Sequence, residues 1–514
     1  MKNKVLILSI LSLFWIMSCR EDEPTTTTTT EVDAINDFVW KAMNLWYYWQ
    51  AENPNLADNL PADNARYTTL INGRTPNDLF YKSLLYQYGN VDLYSWIENN
   101  NQVVSATGRM ASEFEAITGL DLTLFPGSGS NYIAFVNYVV PNSSAANAGV
   151  KRGDVITKVN GSYINDYNYD TLFDDSSFTI TRAETTTVSI VNGSYQISTT
   201  DKSENLSIAK TSVEENPIAF YKVFEQNGKK IGYLVYNAFK IEYNDELNAQ
   251  FAKMKADGIT DLILDLRYNG GGSLTSALGL AQMINGSYTG QNYLYMEYNK
   301  KNTKYSGYDV LSDKLDTYNL VNGHPEKIGT ENINSLSLPK IYALVSISSA
   351  SASELTVICL SKLINVETIG YATRGKFVGS HTLYDSPNNE YISYENRNKT
   401  HNWQLQPITF KYFNKDRDAH PIVQYADGST KEAILPLSQN RVHPFEWINN
   451  VKEFGVTTDP ELKMALARIT GQTTGRAGAT TFVDTPQKVI TKPHNAAKGL
   501  HLDDMKAYLE RKRD

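Results

Sequence analysis

The spacing of apolar residues follows three successive patterns along the 514-residue chain. From Asp33 to about Asn100 apolar positions recur at helical intervals, as in INDFVWKAMNLWYYW, and predict a small helical domain with an aromatic core. Between about Gly108 and Thr200 short alternating runs such as YIAFVNYVV predict β-strands. Farther on, apolar strands alternate with helical segments and glycine turns, which is typical of an α/β fold with crossover connections. The sequence therefore predicts a mixed α/β protein of several domains.

These changes in pattern set predicted boundaries for the parts of the chain. They are, in order, a signal segment (1–19), a Thr-rich tether (20–32), the helical domain (33–107), the strand-rich domain (108–200), the α/β core (201–471) and a tail (472–514). The tail is rich in Thr, Gly and Lys and is predicted to be disordered. Only its last stretch, LDDMKAYLERK, has a helical pattern.

The first residues have the pattern of an export signal. Lys2 and Lys4 precede the apolar run VLILSILSLFWIM, which is too short for a comfortable membrane span and reads as a secretory signal. The residues IMSC, ending at Cys19, resemble the lipobox of bacterial lipoproteins, in which the cysteine is acylated, although Met17 is not the usual small residue. The alternative is an ordinary cleaved signal with an incidental cysteine. With Cys19 acylated, Cys359 would have no disulfide partner in the chain.

The segment after the cysteine bears on location. REDEPTTTTTTEVD is acidic and then Thr-rich, so it cannot build a core and is predicted to act as a tether. Its acidic start resembles the surface-export signals of Bacteroidetes lipoproteins. The sequence thus predicts a lipoprotein of the cell envelope, held at the outer membrane through lipid on Cys19 and facing either the periplasm or the cell surface.

Composition argues against two classes of partner. The formal net charge is −8 and the pI is about 5.5, and the only dense basic cluster is LERKRD, so no nucleic-acid binding is predicted. The seven histidines are scattered and no H-E-x-x-H motif occurs, so we predict neither a metal site nor another cofactor. The spacing Gly370-x4-Gly375-Lys376 fits most of a phosphate-binding loop, but Phe377 stands where Ser or Thr would hold Mg²⁺.

The strand-rich segment contains a long motif. PNSSAANAGVKRGDVITKVNG, from Pro141 to Gly161, predicts a short helix, a glycine stop, a turn and a strand. It resembles the PDZ signature AxxAGLxxGDxIxxVNG. PDZ domains bind extended chain ends by adding a strand to a sheet edge, and the resemblance makes TGLDLTLF the candidate carboxylate-binding loop, with Gly119 and Leu120 as substrate-binding residues. The alternative is a module that only packs.

The chemistry is predicted in the run SISSASASELTVICLSKL, where small residues separate an apolar strand from an apolar helix. Ser351 and Glu354 have the capping-box spacing S-x-x-E, so Ser351 could simply cap the helix. A serine at a helix N-terminus also lies beside unpaired amides that can stabilise an oxyanion, which suits a nucleophile. Lys376 follows after the helix and the next strand, between Gly375 and Phe377, and a buried lysine can lose its proton near neutral pH and act as a base.

Together these residues resemble a known catalytic core. SASASE followed by G-x-x-T-x-G-K is similar to the C-terminal processing peptidases, serine–lysine peptidases with an embedded PDZ domain. The resemblance implies that Ser351 is the nucleophile and Lys376 the general base. DLRYNGGG resembles the family segment DLRxNxGG, which implies an oxyanion hole formed by the backbone of Gly271 or Gly272 with the amide of Ala352.

One position departs from the family. Many members carry Gln four residues after the lysine, and Ser380 occupies that position here. The third member of the site, Glu354 or Ser380, is therefore left open, with Glu354 favoured. The predicted function is a serine endopeptidase that cleaves polypeptides through an acyl-enzyme, with the PDZ domain docking substrate C-terminal segments. The competing hypothesis is a non-catalytic peptide-binding lipoprotein, and the sequence predicts no oligomeric state.

Overall fold

The computed structural model describes residues 33–99, 116–169, 171–191, 194–321, 324–425, 428–472, 490–492 and 500–501. The predicted signal segment, Cys19, the tether, the boundary at 107/108 and the helical stretch LDDMKAYLERK lie outside these residues. Within them, no helix has both the length and the apolar character needed to cross a membrane.

The N-terminal domain is a set of short helices around aromatic side chains, as the sequence predicts. Its helices and strand are α1 (Ala34–Trp46), α2 (Asn64–Ile71), α3 (Pro76–Leu79) and β1 (Trp96–Asn99), with short 3₁₀ turns (Gln50–Glu52, Pro54–Leu56, Leu60–Ala62) and a π-turn (Phe80–Leu84). Asp33 caps α1 by accepting the Asn36 amide. The buried face of α1 shares one apolar core with the α/β core, so this domain is packed directly onto that core.

The described residues of the strand-rich domain form a main sheet, a separate pair made by its first and last strands, and one short helix. Its elements are β2 (Ala116–Ile117), β3 (Leu120–Pro126), β4 (Asn131–Val139), α4 (Ser144–Asn147), β5 (Val155–Val159), β6 (Ser162–Asn165), β7 (Ser177–Val191), β8 (Ser194–Ala209) and β9 (Thr211–Ser212). Ser143 caps α4, as the predicted short helix requires. A separate apolar cluster joins this sheet to the core, where Phe125 and Phe135 pack with Phe445 and Trp447.

The α/β core begins with a strand pair and continues as a parallel sheet. Its elements to the second crossover are β10 (Ile218–Gln226), β11 (Lys229–Tyr236), α5 (Asn244–Asp257), β12 (Asp261–Asp265), α6 (Leu274–Ile284), β13 (Asn292–Tyr298), β14 (Gly307–Val310), β15 (Lys314–Val321), β16 (His324–Asn332), β17 (Lys340–Val345), α7 (Ala352–Leu360) and β18 (Asn365–Gly370). The central sheet has the order β10-β11-β12-β17-β18, with β11, β12, β17 and β18 parallel.

The chain then forms a second sheet and returns to the first. The remaining core elements are β19 (Val378–Ser380), β20 (Leu383–Tyr384), β21 (Trp403–Gln406), β22 (Ile408–Asn414), β23 (Ile422–Gln424), β24 (Thr430–Glu432), α8 (Trp447–Asn450) and α9 (Pro460–Thr470). Two further strands, β25 (Ile490–Lys492) and β26 (Leu500–His501), lie in the tail that the sequence predicts to be disordered. The second sheet has the order β14-β13-β22-β19-β26.

Alternating side chains of the central sheet build two cores. Leu262, Leu264 and Ala343 face the crossover helices, whereas Ile263 and Leu344 face α9. Apolar residues on both faces explain why the strand sequences DLILDL and IYALVSI read as continuous apolar runs. The predicted mixed α/β architecture is confirmed, and both crossovers place their loops at the carboxyl ends of β12 and β17.

A buried ion network fixes the loop after β12. The Arg267 side chain is fully buried and contacts the carboxylates of Asp265 at 2.6 Å, Asp459 at 2.9 Å and Glu461 at 3.0 Å. Burial raises the pKa of Asp459, but the guanidinium groups of Arg267 and Arg152 outweigh it and hold that pKa below its usual value. Because a buried guanidinium needs all of its partners, this network holds the β12 loop in one conformation.

Candidate active site

Two loops meet at the carboxyl ends of β12 and β17, which are neighbours in the parallel sheet. The first carries the glycines of DLRYNGGG and the second carries the serine-rich run. Ligands of open α/β sheets bind at this edge, where the loops leave adjacent strands. The structure therefore brings together the two segments that the sequence singled out separately.

Three serines of the second loop hydrogen-bond to backbone carbonyls of the first loop. The Ser349 hydroxyl donates to the Leu266 carbonyl at 2.8 Å, the Ser353 hydroxyl donates to the Asn269 carbonyl at 2.9 Å, and the Ser346 hydroxyl donates to the Arg267 carbonyl. The Ala350 amide also donates to the Asn269 carbonyl at 3.1 Å. Small hydroxyl side chains thus pair the carbonyls of the glycine loop, which lets the two loops pack closely.

Ser351 has an unusual backbone. It is the N-cap of α7, has φ +59° and ψ −114°, and is fully buried. Such a conformation costs on the order of 1–3 kcal/mol for a residue other than glycine and persists only where the surroundings enforce it. The Ser351 amide donates to Glu354 Oε2 at 2.9 Å, which is one arm of the predicted capping box.

The glycine loop packs against this serine. A Cβ on Gly271 would lie 2.7 Å from Ser351 Cβ, and the backbone of Gly271 has φ +107°, so only glycine fits. The Gly271 amide donates to Asn269 Oδ1 at 2.9 Å. By contrast, no described residue accepts from the Gly272 amide, and Ala352, the first residue of α7, has no carbonyl one turn earlier within the helix to bond.

Glu354 ties the serine loop to the lysine segment. Its Oε2 accepts from the amides of Ser351 at 2.9 Å and Lys376 at 2.8 Å, and its Oε1 accepts from the Gly375 amide at 2.7 Å and from the Thr373 hydroxyl. Burial raises the pKa of this carboxyl, while the hydrogen bonds act in the opposite direction. With four donors aimed at two oxygens, Glu354 holds the backbones of Ser351 and Lys376 together.

A second clamp joins the same two residues from the carbonyl side. The Tyr412 hydroxyl on β22 lies 2.9 Å from the Ser351 carbonyl and 3.0 Å from the Lys376 carbonyl. The phenol is buried, and burial raises its pKa well above the ordinary value, so it remains a donor. Ser351 and Lys376 are therefore adjacent in space, although 24 residues separate them in the sequence.

The environment of Lys376 favours the neutral amine. Its side chain is buried, and burial together with the positive charge of Arg374 lowers its pKa to about 8, although Asp92 and Glu354 act in the opposite direction. Lys376 Nζ lies 4.7 Å from the ring centroid of Tyr94. The amine is thus covered by an aromatic ring from the N-terminal domain.

Sequence reasoning missed Asp92, Tyr94 and Tyr412. Asp92 is fully buried; it accepts from the Tyr47 hydroxyl at 2.8 Å and from the amides of Tyr94 and Ser95 at 3.0 Å, which shapes the turn that carries the ring of Tyr94. These residues belong to other elements far along the chain, and no local spacing links them to Lys376. An acidic residue followed by aromatic and small residues is too common a pattern to have marked them.

Ser380, which stands where the resemblance expects glutamine, is hydrogen-bonded to a glutamine from another strand. Gln406 on β21 donates through Nε2 to Ser380 Oγ at 2.9 Å, and its Oε1 accepts from the Thr382 hydroxyl at 2.6 Å. Gln406 is buried. The carboxamide missing from residue 380 is therefore present beside it, while the Glu354 carboxylate is bonded to backbone amides, including that of Lys376.

The predicted substrate-binding residues of the strand-rich domain lie at the start of β3. Gly119 has φ +86°, and a Cβ there would lie 2.0 Å from Ser143 Oγ, so the loop packs against the cap of α4. The Leu120 amide is within 3.3 Å of the Thr118 hydroxyl. In the described part of the chain, no cluster of three or more His, Cys, Asp or Glu side chains could hold a metal ion.

Comparison with known families covers all three domains. Residues 230–407 match the model of peptidase family S41, residues 34–96 match the peptidase S41 N-terminal domain, and residues 135–174 match the PDZ domain. The PDZ prediction for the strand-rich domain is thereby confirmed.

Individual relatives match over shorter stretches. The chain is 24% identical over 175 residues to the chloroplastic C-terminal processing peptidase of Tetradesmus obliquus, a match that covers 32% of this chain and 36% of the relative. It is 31% identical over 144 residues to the "Probable CtpA-like serine protease" of Staphylococcus aureus strain RF122, covering 28% of this chain and 26% of the relative. The matches thus span about a third or less of these relatives' own length.

A solved structure matches over most of the chain. It is that of a Bacteroides fragilis protein placed among the S41 proteases, with a TM-score of 0.59 and 22% identity. The superposition covers 84% of this chain and 97% of that chain. At this identity the likeness is one of fold.

Proposed function

Because the chain belongs to peptidase family S41, a family of serine peptidases, we propose that it is an endopeptidase in which Ser351 is the nucleophile and Lys376 is the general base. The observation that carries the proposal is the double clamp on these residues. Glu354 accepts from both of their amides, and the Tyr412 hydroxyl contacts both of their carbonyls. The buried lysine with a pKa near 8 beside a strained serine is what serine–lysine chemistry needs.

The reaction follows from this arrangement. The neutral Lys376 amine takes the proton of Ser351 Oγ as the oxygen attacks the scissile carbonyl carbon, and the C–N bond then breaks as the ammonium returns a proton to the leaving amine. The acyl-enzyme ester is hydrolysed when Lys376 activates a water in the same way. We assign the oxyanion hole to the amides of Gly272 and Ala352, since the Gly271 amide is engaged by Asn269.

Glu354 is a positioning residue in this mechanism, because it holds backbone groups and not the reacting atoms. Gln406 beside Ser380 supplies the carboxamide that the resemblance expects near the lysine. We further propose that polypeptides dock on the PDZ domain by adding a strand to β3, next to the loop that contains Gly119 and Leu120.

A fluorophosphonate probe tests the nucleophile directly. The wild-type protein should be labelled at Ser351, as mapped by mass spectrometry, because only an activated serine attacks the phosphorus. Ser351→Ala and Lys376→Met should both lose the label. Ser361→Ala, at the other end of α7, is the matched control and should keep it. A folded protein that takes no label yet binds peptides would instead support the non-catalytic peptide-binding lipoprotein.

The reaction rate should increase with pH, as expected when the catalytic group is a base. Lys376 works only when deprotonated, so kcat/KM should rise as the pH increases through about 8 and level off above it. Arg374→Gln should move the midpoint upward, because the guanidinium is one of the causes that lower the lysine pKa. Initial rates on an unfolded protein between pH 6 and 10 measure both. A rate that falls across this range would contradict a lysine base.

We also propose that the protein is a lipoprotein of the cell envelope, held through acylated Cys19. The basic start, the short apolar run and the residues IMSC support this location. Cells grown with an alkyne fatty acid should label the wild-type protein and not Cys19→Ala. Cys359→Ala is the control and should leave the label in place, since Cys359 is buried in α7. Equal labelling of the Cys19 variant would remove the lipid anchor from the proposal.

A further inference from the structure

In two sheets of this protein, the strand at one edge is paired on its outer side only by a strand of the tail. The PDZ sheet has the order β25-β3-β4-β6-β5-β7-β8, so β3 is its last strand when β25 is set aside. The second sheet of the core ends in β19 when β26 is set aside. An open edge presents unpaired amides and carbonyls along which another extended chain can add.

The first tail strand occupies the PDZ edge. β25 is antiparallel to β3, with Ile490 opposite Leu124, Thr491 opposite Thr123 and Lys492 opposite Leu122. The tail therefore runs toward the loop that contains Gly119 and Leu120. The sequence singled out this edge as the one that would receive a docked polypeptide.

The second tail strand occupies the edge next to the proposed catalytic lysine. β26 is parallel to β19, with Leu500 opposite Gly379 and His501 opposite Ser380. β19 itself starts two residues after Lys376. Only seven residues connect β25 to β26. An extended chain of this length spans at most about 29 Å, so the ends of the two tail strands lie within that distance of each other.

We propose that β25 and β26 are an internal ligand of the protease, which occupies the two edges along which an external polypeptide would bind and thereby competes with it. This inference rests on the proposed function for its effect on cleavage, but the occupancy itself does not depend on catalysis. β25 is followed by 22 more residues, so the PDZ edge accepts an internal strand and not only a chain end. A strand held by backbone pairing is recognised by its extended form more than by its side chains.

The size of the effect follows from tethering. A segment linked to its own site is present at an effective concentration of about 1 mM. If the same segment binds the edge as a free peptide with a Kd of about 100 µM, the tethered tail occupies the edge roughly 90% of the time. External polypeptides should then bind about tenfold more weakly than they would to an open edge. Because the tail competes for binding, KM should carry the effect and kcat should not.

The test compares full-length chains that differ only in the tail. Ile490→Pro with Thr491→Pro removes both adjacent amides of β25, one of which faces β3, so the strand can no longer pair. In the Ser351→Ala background, a fluorescein-labelled peptide of residues 486–503 should bind this double variant about tenfold more tightly than the parent, as read by fluorescence anisotropy. In the Ser351 form, KM for an unfolded protein should fall by a similar factor with kcat unchanged.

A matched control separates the loss of strand pairing from a general effect of prolines in the tail. Ala477→Pro with Ala479→Pro adds two prolines to the tail outside β25 and β26 and should leave peptide binding and KM as in the parent. Equal affinity of the peptide for parent and Ile490/Thr491 variant, no binding to either, or the same gain in the control would each overturn the proposal. Absence of cleavage in every form would count against the proposed function alone, since the binding comparison uses an inactive background.

Discussion

Replacing Lys376 with methionine should abolish cleavage and at the same time make the folded protein more stable. The variant keeps a stem of similar length in the same buried site but has no group that can accept the serine proton, so kcat/KM should fall by about 10³-fold or more. Measurement is by initial rates on an unfolded protein above pH 8, where the wild-type amine is neutral.

The gain in stability follows from the lowered pKa. The unfolded chain holds the lysine proton more tightly than the folded chain, because the pKa is 10.5 when exposed and about 8 when buried. The folded state therefore carries a penalty at neutral pH that disappears only as the pH rises above the unfolded value. Removing the amine should raise the free energy of unfolding at pH 7 by on the order of 3 kcal/mol.

Two further variants bracket this result. Lys376→Arg retains a positive charge at all relevant pH values, so it should be inactive and less stable than the wild type. Lys463→Met on the exposed side of α9 is the matched control, and it should change neither activity nor the free energy of unfolding by more than about 0.5 kcal/mol. Denaturant unfolding that shows Lys376→Met to be destabilised would contradict the buried neutral amine.

Glu354→Gln should damage both activity and stability through positioning. Each carboxylate oxygen accepts two hydrogen bonds, so the NH₂ group of the glutamine faces two donors whichever oxygen it replaces. If it replaces Oε2, both donors are backbone amides, which cannot turn away. Leaving buried donors without acceptors should cost about 3 kcal/mol in the free energy of unfolding. The shifted Ser351 and Lys376 backbones should lower kcat about 100-fold with little change in KM.

The chain contains its own control for this substitution. Glu446 accepts from the His443 amide in a second capping box, away from the clamp on Ser351 and Lys376. Glu446→Gln should therefore cost less than about 1 kcal/mol and leave kcat unchanged. Equal losses in the two variants would mean that Glu354 acts only as a helix cap, which was the simpler reading of the S-x-x-E spacing.

Local patterns predicted the elements that carry the site. The apolar runs before Ser346 and within α7 mark a strand and a helix, and the capping-box spacing marks where α7 begins. The motif DLRYNGGG predicted a glycine turn, since three consecutive glycines are rarely needed except where another backbone approaches closely. These are properties of neighbouring residues, and the sequence displays them directly.

The residues that reach the site from other elements could not be predicted in this way. Tyr94 and Asp92 precede Lys376 by more than 280 residues, and Tyr412 and Gln406 come from strands of no distinctive pattern. Their roles exist only after the sheets have assembled, because registry between distant strands decides which side chains meet. The tail is a similar case: its low apolar content predicts disorder, and its two strands depend on edges supplied by other domains.

The cover of Tyr94 over Lys376 has a consequence for the newly made chain. Until residues 33–99 have packed on the core, the amine lacks the ring of Tyr94, and with less burial its pKa should lie closer to the ordinary lysine value. Under the proposed mechanism, such a chain should be less active near neutral pH than the assembled protein. The packing of the first domain would then raise the reactivity of the newly made protein as it folds.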